Sequence, residues 1–259
     1  MSQLIGYICS DDSLTPSVVH AVREELDAIH DYASLGFGWV QENRSLLRKH
    51  PSQGANGVNA LSLLSDLPAR AIVGYTQSDE PSSSDTLDLQ PFRYRNWVYA
   101  QEDNVETFDG YRDEVLEEIP DHIRRNVQGH NRAEVAFHRF LAAVNTEGQL
   151  DRQRVEARRV ARALAASIQD LEQRALDHGQ DDLELRAVSV TNRLLLAGRV
   201  GDPLFYRQFD GIEEPSEEPL FAGHRPKPVE HPHFNGVMIA SGGRPDGDQW
   251  VEVPDRHVV

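Results

Sequence analysis

The sequence predicts an α+β fold in which helices pack over two sheets, and three observations carry that prediction. Short apolar runs of strand character open the chain, at Leu4–Cys9, Gly36–Val40 and Ala71–Tyr75. The longest segments with helical spacing of apolar residues fall in the middle, over 131–143 and 151–177. Strand-like runs then return at 185–197, 236–241 and 250–253. Strands, then helices, then strands suit two sheets covered by helices, and not a regular alternation of strand and crossover helix.

Each element has its own signal. Leu4-Ile5-Gly6-Tyr7-Ile8-Cys9 is short enough for a buried strand. Thr15-Pro16 reads as an N-cap followed by proline at the first helical position, with Val18, Val19, Val22, Leu26 and Ile29 on one face. A glycine-spaced strand, Gly36-Phe37-Gly38-Trp39-Val40, precedes a helix through Leu61, Leu63, Leu64 and Leu67 that ends near Pro68. The stretch Ser78–Asp85 has the composition of a solvated loop, and strand character resumes from Phe92 to Tyr99. Val135, Phe137, Phe140 and Leu141 mark one helix; Val160, Leu164, Ile168 and Leu171 mark the longest one. The other face of that longest helix carries Arg152, Arg154, Arg158, Arg159 and Arg162, in the first instance a solvated face and less often an anion or partner site. A proline-rich acidic loop is expected over 210–233, inside a single domain spanning 1–259 with no internal repeat.

Composition excludes several function classes. The chain has 259 residues, 39% hydrophobic and 26% charged, which suits a folded protein with a sizeable core. With 26 Lys plus Arg against 42 Asp plus Glu, its formal net charge of −16 repels phosphate backbones, so no nucleic-acid partner is expected. No run nears the roughly 18 apolar residues of a membrane helix, and the N-terminus lacks a signal-peptide pattern, so the expected location is the cytoplasm, away from membranes. Cys9, the single cysteine, allows no internal disulfide or thiolate metal site and reads as a buried small hydrophobe. His231-Pro232-His233, with His224 nearby, reads as a surface loop without a closing ligand set, so neither metal nor cofactor is expected. No phosphate loop, dinucleotide fingerprint or nucleophile elbow occurs.

Separated segments, in order, resemble the class II glutamine amidotransferases of the N-terminal-nucleophile (Ntn) hydrolase fold, in particular the stand-alone branch that includes ergothioneine-pathway amidohydrolases. Met1-Ser2-Gln3-Leu4-Ile5-Gly6-Tyr7 is similar to the family opening Met-Cys-x-Leu-x-Gly-Tyr, and Leu35-Gly36-Phe37-Gly38-Trp39 to Asp-Gly-Trp-Gly. Ala71–Gln77 falls at a strand ending His-x-Arg, and Asp88-Leu89-Gln90-Pro91-Phe92 at Asn-Thr-His-Pro-Phe. Trp97–Asp103 falls at Trp-x-Phe-Ala-His-Asn-Gly, and Gly129–Phe137 at Gly-x-Thr-Asp-Ser-Glu-x-x-Phe. Val237–Ser241 and Trp250–Pro254 resemble the strands that close the second sheet. The resemblance implies a four-layer α/β/β/α sandwich of two antiparallel sheets.

The polar positions depart from the family pattern. The resemblance puts Ser2 at the cysteine nucleophile, whose freed α-amine serves as base. It puts Glu102 and Asp103 at the oxyanion-hole Asn-Gly pair, where carboxylates oppose a developing negative charge. Thr76 replaces the arginine that clamps the glutamine α-carboxylate, and Arg132 replaces the aspartate that pairs with its α-amine. Gly74 and Gln90 stand for two histidines, and Leu35 for an aspartate. An apolar scaffold kept while polar groups change is the pattern of a pseudoenzyme, here a binding or regulatory subunit with an unidentified protein partner such as an active homologue. The alternative is an N-terminal serine amidohydrolase acting through Ser2 on glutamine, γ-glutamyl or related amides. Arg132, Glu102 and Asp103 form either a salt-bridged plug or a repurposed pocket for a small anionic ligand.

Overall fold

The structure, a computed structural model, describes residues 2–22, 34–51, 67–77, 86–152, 154–214, 229–242, 245 and 247–259. Its strands are β1 (Gln3–Cys9), β2 (Ser34–Gln41), β3 (Arg44–Pro51), β4 (Ala71–Gln77), β5 (Phe92–Tyr94), β6 (Trp97–Asp103), β7 (Leu185–Val190), β8 (Leu195–Val200), β9 (Leu204–Glu214), β10 (Val229–Ser241) and β11 (Val251–Glu252). The helices are α1 (Thr15–Val22), α2 (Arg112–Glu118), α3 (Asp121–Arg124), α4 (Arg132–Thr146) and α5 (Ala157–Asp177).

A seven-stranded sheet, ordered β11-β9-β10-β1-β4-β2-β3, faces a four-stranded sheet, ordered β5-β6-β7-β8. Every pairing is antiparallel. Strand side chains alternate between faces, so each sheet can bury both sides. Leu4, Val40, Ala71, Val73 and Ile239 from the large sheet meet Val98, Ala100, Val188, Val190 and Ala197 from the small one. The opposite face of the small sheet packs Tyr99, Leu185 and Ala187 against Phe137, Phe140 and Leu141 of α4 and Leu164 and Ile168 of α5. The outer face of the large sheet packs Ile5, Tyr7, Leu35, Phe37 and Met238 against Val18, Val19 and Val22 of α1. The layers therefore run helix, sheet, sheet, helix, as expected. Burial of one such Leu, Val or Phe side chain contributes about 1.5–3 kcal/mol.

Two glycines set how closely the sheets approach. A Cβ on Gly38 would lie 2.4 Å from Val98 Cγ1, and one on Gly6 would lie 2.6 Å from Val188 Cγ1. Gly36 serves a different contact, since its Cβ would fall 1.8 Å from the Gln90 carbonyl oxygen.

Several expectations need correcting. Thr15 is no N-cap: its backbone is already helical, its hydroxyl donates to the Ala69 carbonyl at 2.8 Å, and Asp11 caps the preceding 3-10 turn through Ser13 N–H. The longest helix begins at Ala157 and not at 151, because Glu156 is extended and its N–H is taken by Gln149 Oε1 at 2.8 Å. Arg152 and Arg154 thus lie in the α4–α5 connection. Of the loop expected over 210–233, Asp210–Glu214 instead completes β9 and Val229–His233 begins β10, while 215–228 lie outside the described residues. His231 and His233 are accordingly strand residues. Strand β3 and helices α2 and α3 are additions to the expected elements. Leu26, Ile29, Leu61, Leu63, Leu64, the 78–85 loop and His224 lie outside the described residues, while Leu67 falls in irregular chain. No described helix is long and apolar enough to cross a membrane.

Gly38→Ala forces its new methyl into Val98 between two rigid sheets. It is expected to cost about 1–3 kcal/mol of stability in urea unfolding.

Candidate functional site

Strand β6 ends beside a cavity of about 510 Å³. Its walls come from β4 (Tyr75, Gln77), the chain before β5 (Asp88, Gln90), the end of β6 (Gln101, Asp103), residues 104–109 and the start of α4 (His130 to Ala133). Gln90 fixes the floor by imitating a strand. Its Nε2 donates to the Gln101 carbonyl at 2.7 Å, and its Oε1 accepts from Gln101 N–H at 2.7 Å. The start of α4 is held by side chains as well. Asn131 caps the helix by accepting from Ala133 N–H at 2.8 Å, Asp88 accepts from His130 N–H at 2.6 Å, and buried Glu134 accepts from Gly129 N–H at 2.7 Å.

Asp103 is the hub of the site. Its buried carboxylate accepts from Gln101 Nε2 at 2.7 Å, from Val105 N–H at 3.1 Å and from the Arg132 guanidinium, which also donates through Nη2 to the Asp103 carbonyl at 2.9 Å. Gln101 is oriented in turn by the Tyr99 hydroxyl, buried under α4. A carboxylate taken out of water this far is tolerable only with such a donor set.

Glu102 lies on the opposite face of β6. Its carboxylate meets Arg186 Nη2 at 2.9 Å and accepts from Ser241 Oγ at 3.0 Å, and Ser241 Oγ itself accepts from Leu4 N–H at 2.8 Å. Burial is the leading cause that pushes the Glu102 carboxyl above its ordinary 4.5, with Arg186 and Ser241 opposing it. Tyr75 is pushed up to about 12, chiefly by burial, while a hydrogen bond with Ser2 works the other way and the charges of Glu102 and Asp103 add to the rise.

The sequence-derived candidates therefore separate. Gln90, Asp103 and Arg132 line the cavity. Glu102 does not, and the expected grouping of all three charges resolves into Arg132–Asp103 on one face and Glu102–Arg186 on the other. Ser2 is half-buried and off the wall. Thr76 and Gly74 pair with Leu35 and Phe37 across β2 and share their outward face, toward α1. The β4 side chains on the cavity are Tyr75 and Gln77, one residue out of step with the expected register. Leu35 likewise packs in the outer core. Sequence reasoning also missed Asp88, Gln101 and the 104–109 segment.

No family model matches the chain, and no curated protein matches it. Solved structures do. A glutamine aminotransferase class-II domain protein from Silicibacter pomeroyi matches with 15% identity over 98% of this chain and 91% of its own, at a TM-score of 0.60. A predicted glutamine amidotransferase from Pseudomonas aeruginosa matches with 12% identity over 100% of this chain and 92% of its own, at 0.57. An allosteric regulatory enzyme of purine biosynthesis matches with 12% identity over 92% of this chain and 41% of its own, at 0.52.

The titration of Glu102 gives a stability test. Its raised pKa means that the folded protein holds this proton more tightly than the unfolded chain. The associated stability is fully present below about 4.5 and is lost as pH rises through the raised value. Glu102→Gln cannot titrate, so urea unfolding over a pH series should show the variant gaining on the parent as pH climbs through that window. A pH-independent difference would contradict the assignment. By layer order, strand pairing and whole-chain superposition, the protein has the fold of the class II glutamine amidotransferase domains.

Proposed function

We propose that the chain is a glutamine amidotransferase-like protein without glutaminase activity, and that its cavity serves as the binding site of a regulatory or adaptor subunit. One observation carries this reading: the Asp103 carboxylate is locked by Gln101, Val105 and Arg132 where the resemblance calls for a hydrogen-bond donor. Acyl transfer builds negative charge on the carbonyl oxygen, and each well-placed donor lowers the barrier by about 3 kcal/mol. The Asp103 carboxylate, paired with Arg132, accepts hydrogen bonds and offers no donor, and Glu102 lies off the cavity. The guanidinium that could donate is turned onto Asp103 instead.

The same pairing argues against an anion as the ligand at Arg132. Asp88, Asp103, Glu106 and Asp109 line the cavity against the single arginine. A ligand bearing an amine or other cation fits that field better than one presenting a carboxylate. A partner protein, such as an active homologue, remains part of this proposal.

The second reading, an amidohydrolase using Ser2, draws support from the place of Ser2 one residue before β1, the strand that pairs with β4 and its cavity-lining Tyr75. The two readings separate in one assay, run with intact-mass measurement to establish whether the first residue of the purified protein is Met1 or Ser2. Incubation with glutamine and γ-glutamyl amides should release no glutamate above the blank, and Ser2→Ala should behave identically. Release that Ser2→Ala abolishes, in protein beginning at Ser2, would overturn the non-catalytic reading in favour of the amidohydrolase.

A further inference from the structure

The end of β6 remote from the candidate site opens on a second cavity, of about 420 Å³, with the opposite charge. Trp97 and Asp103 stand at the two ends of β6, so the cavities lie roughly 20 Å apart at about 3.3 Å per residue. Three hairpin tips meet there: β2–β3 through Asn43, β5–β6 through Arg95, and β7–β8 through Asn192 and Arg193. The α4–α5 connection adds Asp151 and Arg152. Asn192 Nδ2 donates to Asn43 Oδ1 at 2.7 Å, tying a tip of the small sheet to one of the large sheet.

Arg95 pairs with Asp151, and Arg152 sits 3.7 Å from Glu156. Arg193 has no carboxylate partner among the described residues, although the chain as a whole carries a formal charge of −16. Of the three guanidinium groups, Arg95 is matched by Asp151 and Arg152 by Glu156, which leaves one positive charge, that of Arg193, in excess. A phosphoryl group carries close to two negative charges at neutral pH, and guanidinium forks match its oxygens. A phosphoryl group offers three acceptor oxygens to the three guanidinium groups, where a monocarboxylate offers two.

A second observation points to the same place. Tyr94 pairs directly with Trp97, so Arg95 and Asn96 form a two-residue hairpin turn, and Arg95 has φ of 52°. Glycine or asparagine adopts that conformation readily, and arginine does so at a cost. Here the strained position delivers a guanidinium into the cavity.

We propose that this cavity binds a small phosphorylated, hydroxyl-bearing molecule. Arg193, Arg95 and Arg152 hold the phosphoryl group, and the amides of Asn43 and Asn192 meet hydroxyls. The site is independent of the reading given to the cavity at Asp103.

Thermal unfolding of the full chain in inorganic phosphate, glycerol 3-phosphate and acetate, each against sodium chloride at matched ionic strength, tests it. Both phosphates should raise the melting temperature beyond chloride, glycerol 3-phosphate at lower concentration, and acetate should not. Arg193→Ala removes a side chain with no ion pair, so it should leave the unliganded melting temperature unchanged and weaken phosphate binding about tenfold. Arg95→Asn keeps the turn and should weaken binding similarly. Equal effects of phosphate and chloride, or an undiminished phosphate shift in Arg193→Ala, would overturn the proposal.

Discussion

The dry contact between the two sheets is the constraint from which the rest of the architecture follows. Stacked sheets sit about 10 Å apart, and here Gly6, Gly38, Ala71, Ala100 and Ala197 keep the inner faces small enough to close that distance against Val98 and Val188. Nothing polar is affordable in the centre of such a slab without a partner. Charged groups on the inner faces therefore gather at its margin. Glu102 and Arg186 illustrate this, neutralising one another beside Ser241 and the first residues of β1. Both cavities follow the same logic, as they form where β6 runs out of neighbours at either end.

Within that frame Asp103 acts more as a structural lock than as a reactive group. It joins the last residue of β6 to the first residue of α4 through Arg132, to the following loop through Val105 N–H, and to the helix-side core through Gln101 and Tyr99. Removing one partner of a buried ion pair costs about 3–5 kcal/mol, because the remaining charge stays buried. The half-exposed Arg132 softens that figure here, since water reaches its guanidinium. A site built this way holds its walls firmly before any ligand arrives.

How much of this was legible in the sequence depended on periodicity. β1, β2, β4, β6, α4 and the body of α5 carry continuous or regularly spaced apolar residues, and all were readable. β3 hides its pattern because Arg44, Leu46, Arg48 and His50 face outward on an edge strand, leaving Ser45, Leu47 and Lys49 as a weak inner row. In α2 and α3 burial falls on Val115 and Ile123, too few positions for a helical stripe to declare itself. The site suffered from a different limit. A strand's side chains change faces at every residue, so the one-position shift that put Gly74 and Thr76 in place of Tyr75 and Gln77 reversed the meaning of β4 while leaving its existence unaffected. Pairing partners posed the same difficulty: Glu102 and Asp103 are neighbours in sequence, and only the alternation along β6 sends one to Arg186 and the other to Arg132.

Charge is distributed along β6 with a sense that composition alone conceals. A net charge of −16 describes the whole surface, yet one end of this strand faces four carboxylates and an arginine, and the other faces three arginines and a carboxylate. At the acidic end Asp103, Asp88 and Arg132 are committed to hydrogen bonds that shape its walls, and the carboxylates outnumber the arginine. At the basic end Arg95 and Arg152 are ion-paired, Arg193 lacks a carboxylate partner among the described residues, and Arg95 holds a backbone conformation that arginine adopts at a cost. The hairpin tips, and not the cavity at Asp103, are therefore the end of β6 whose charge suits an external anion.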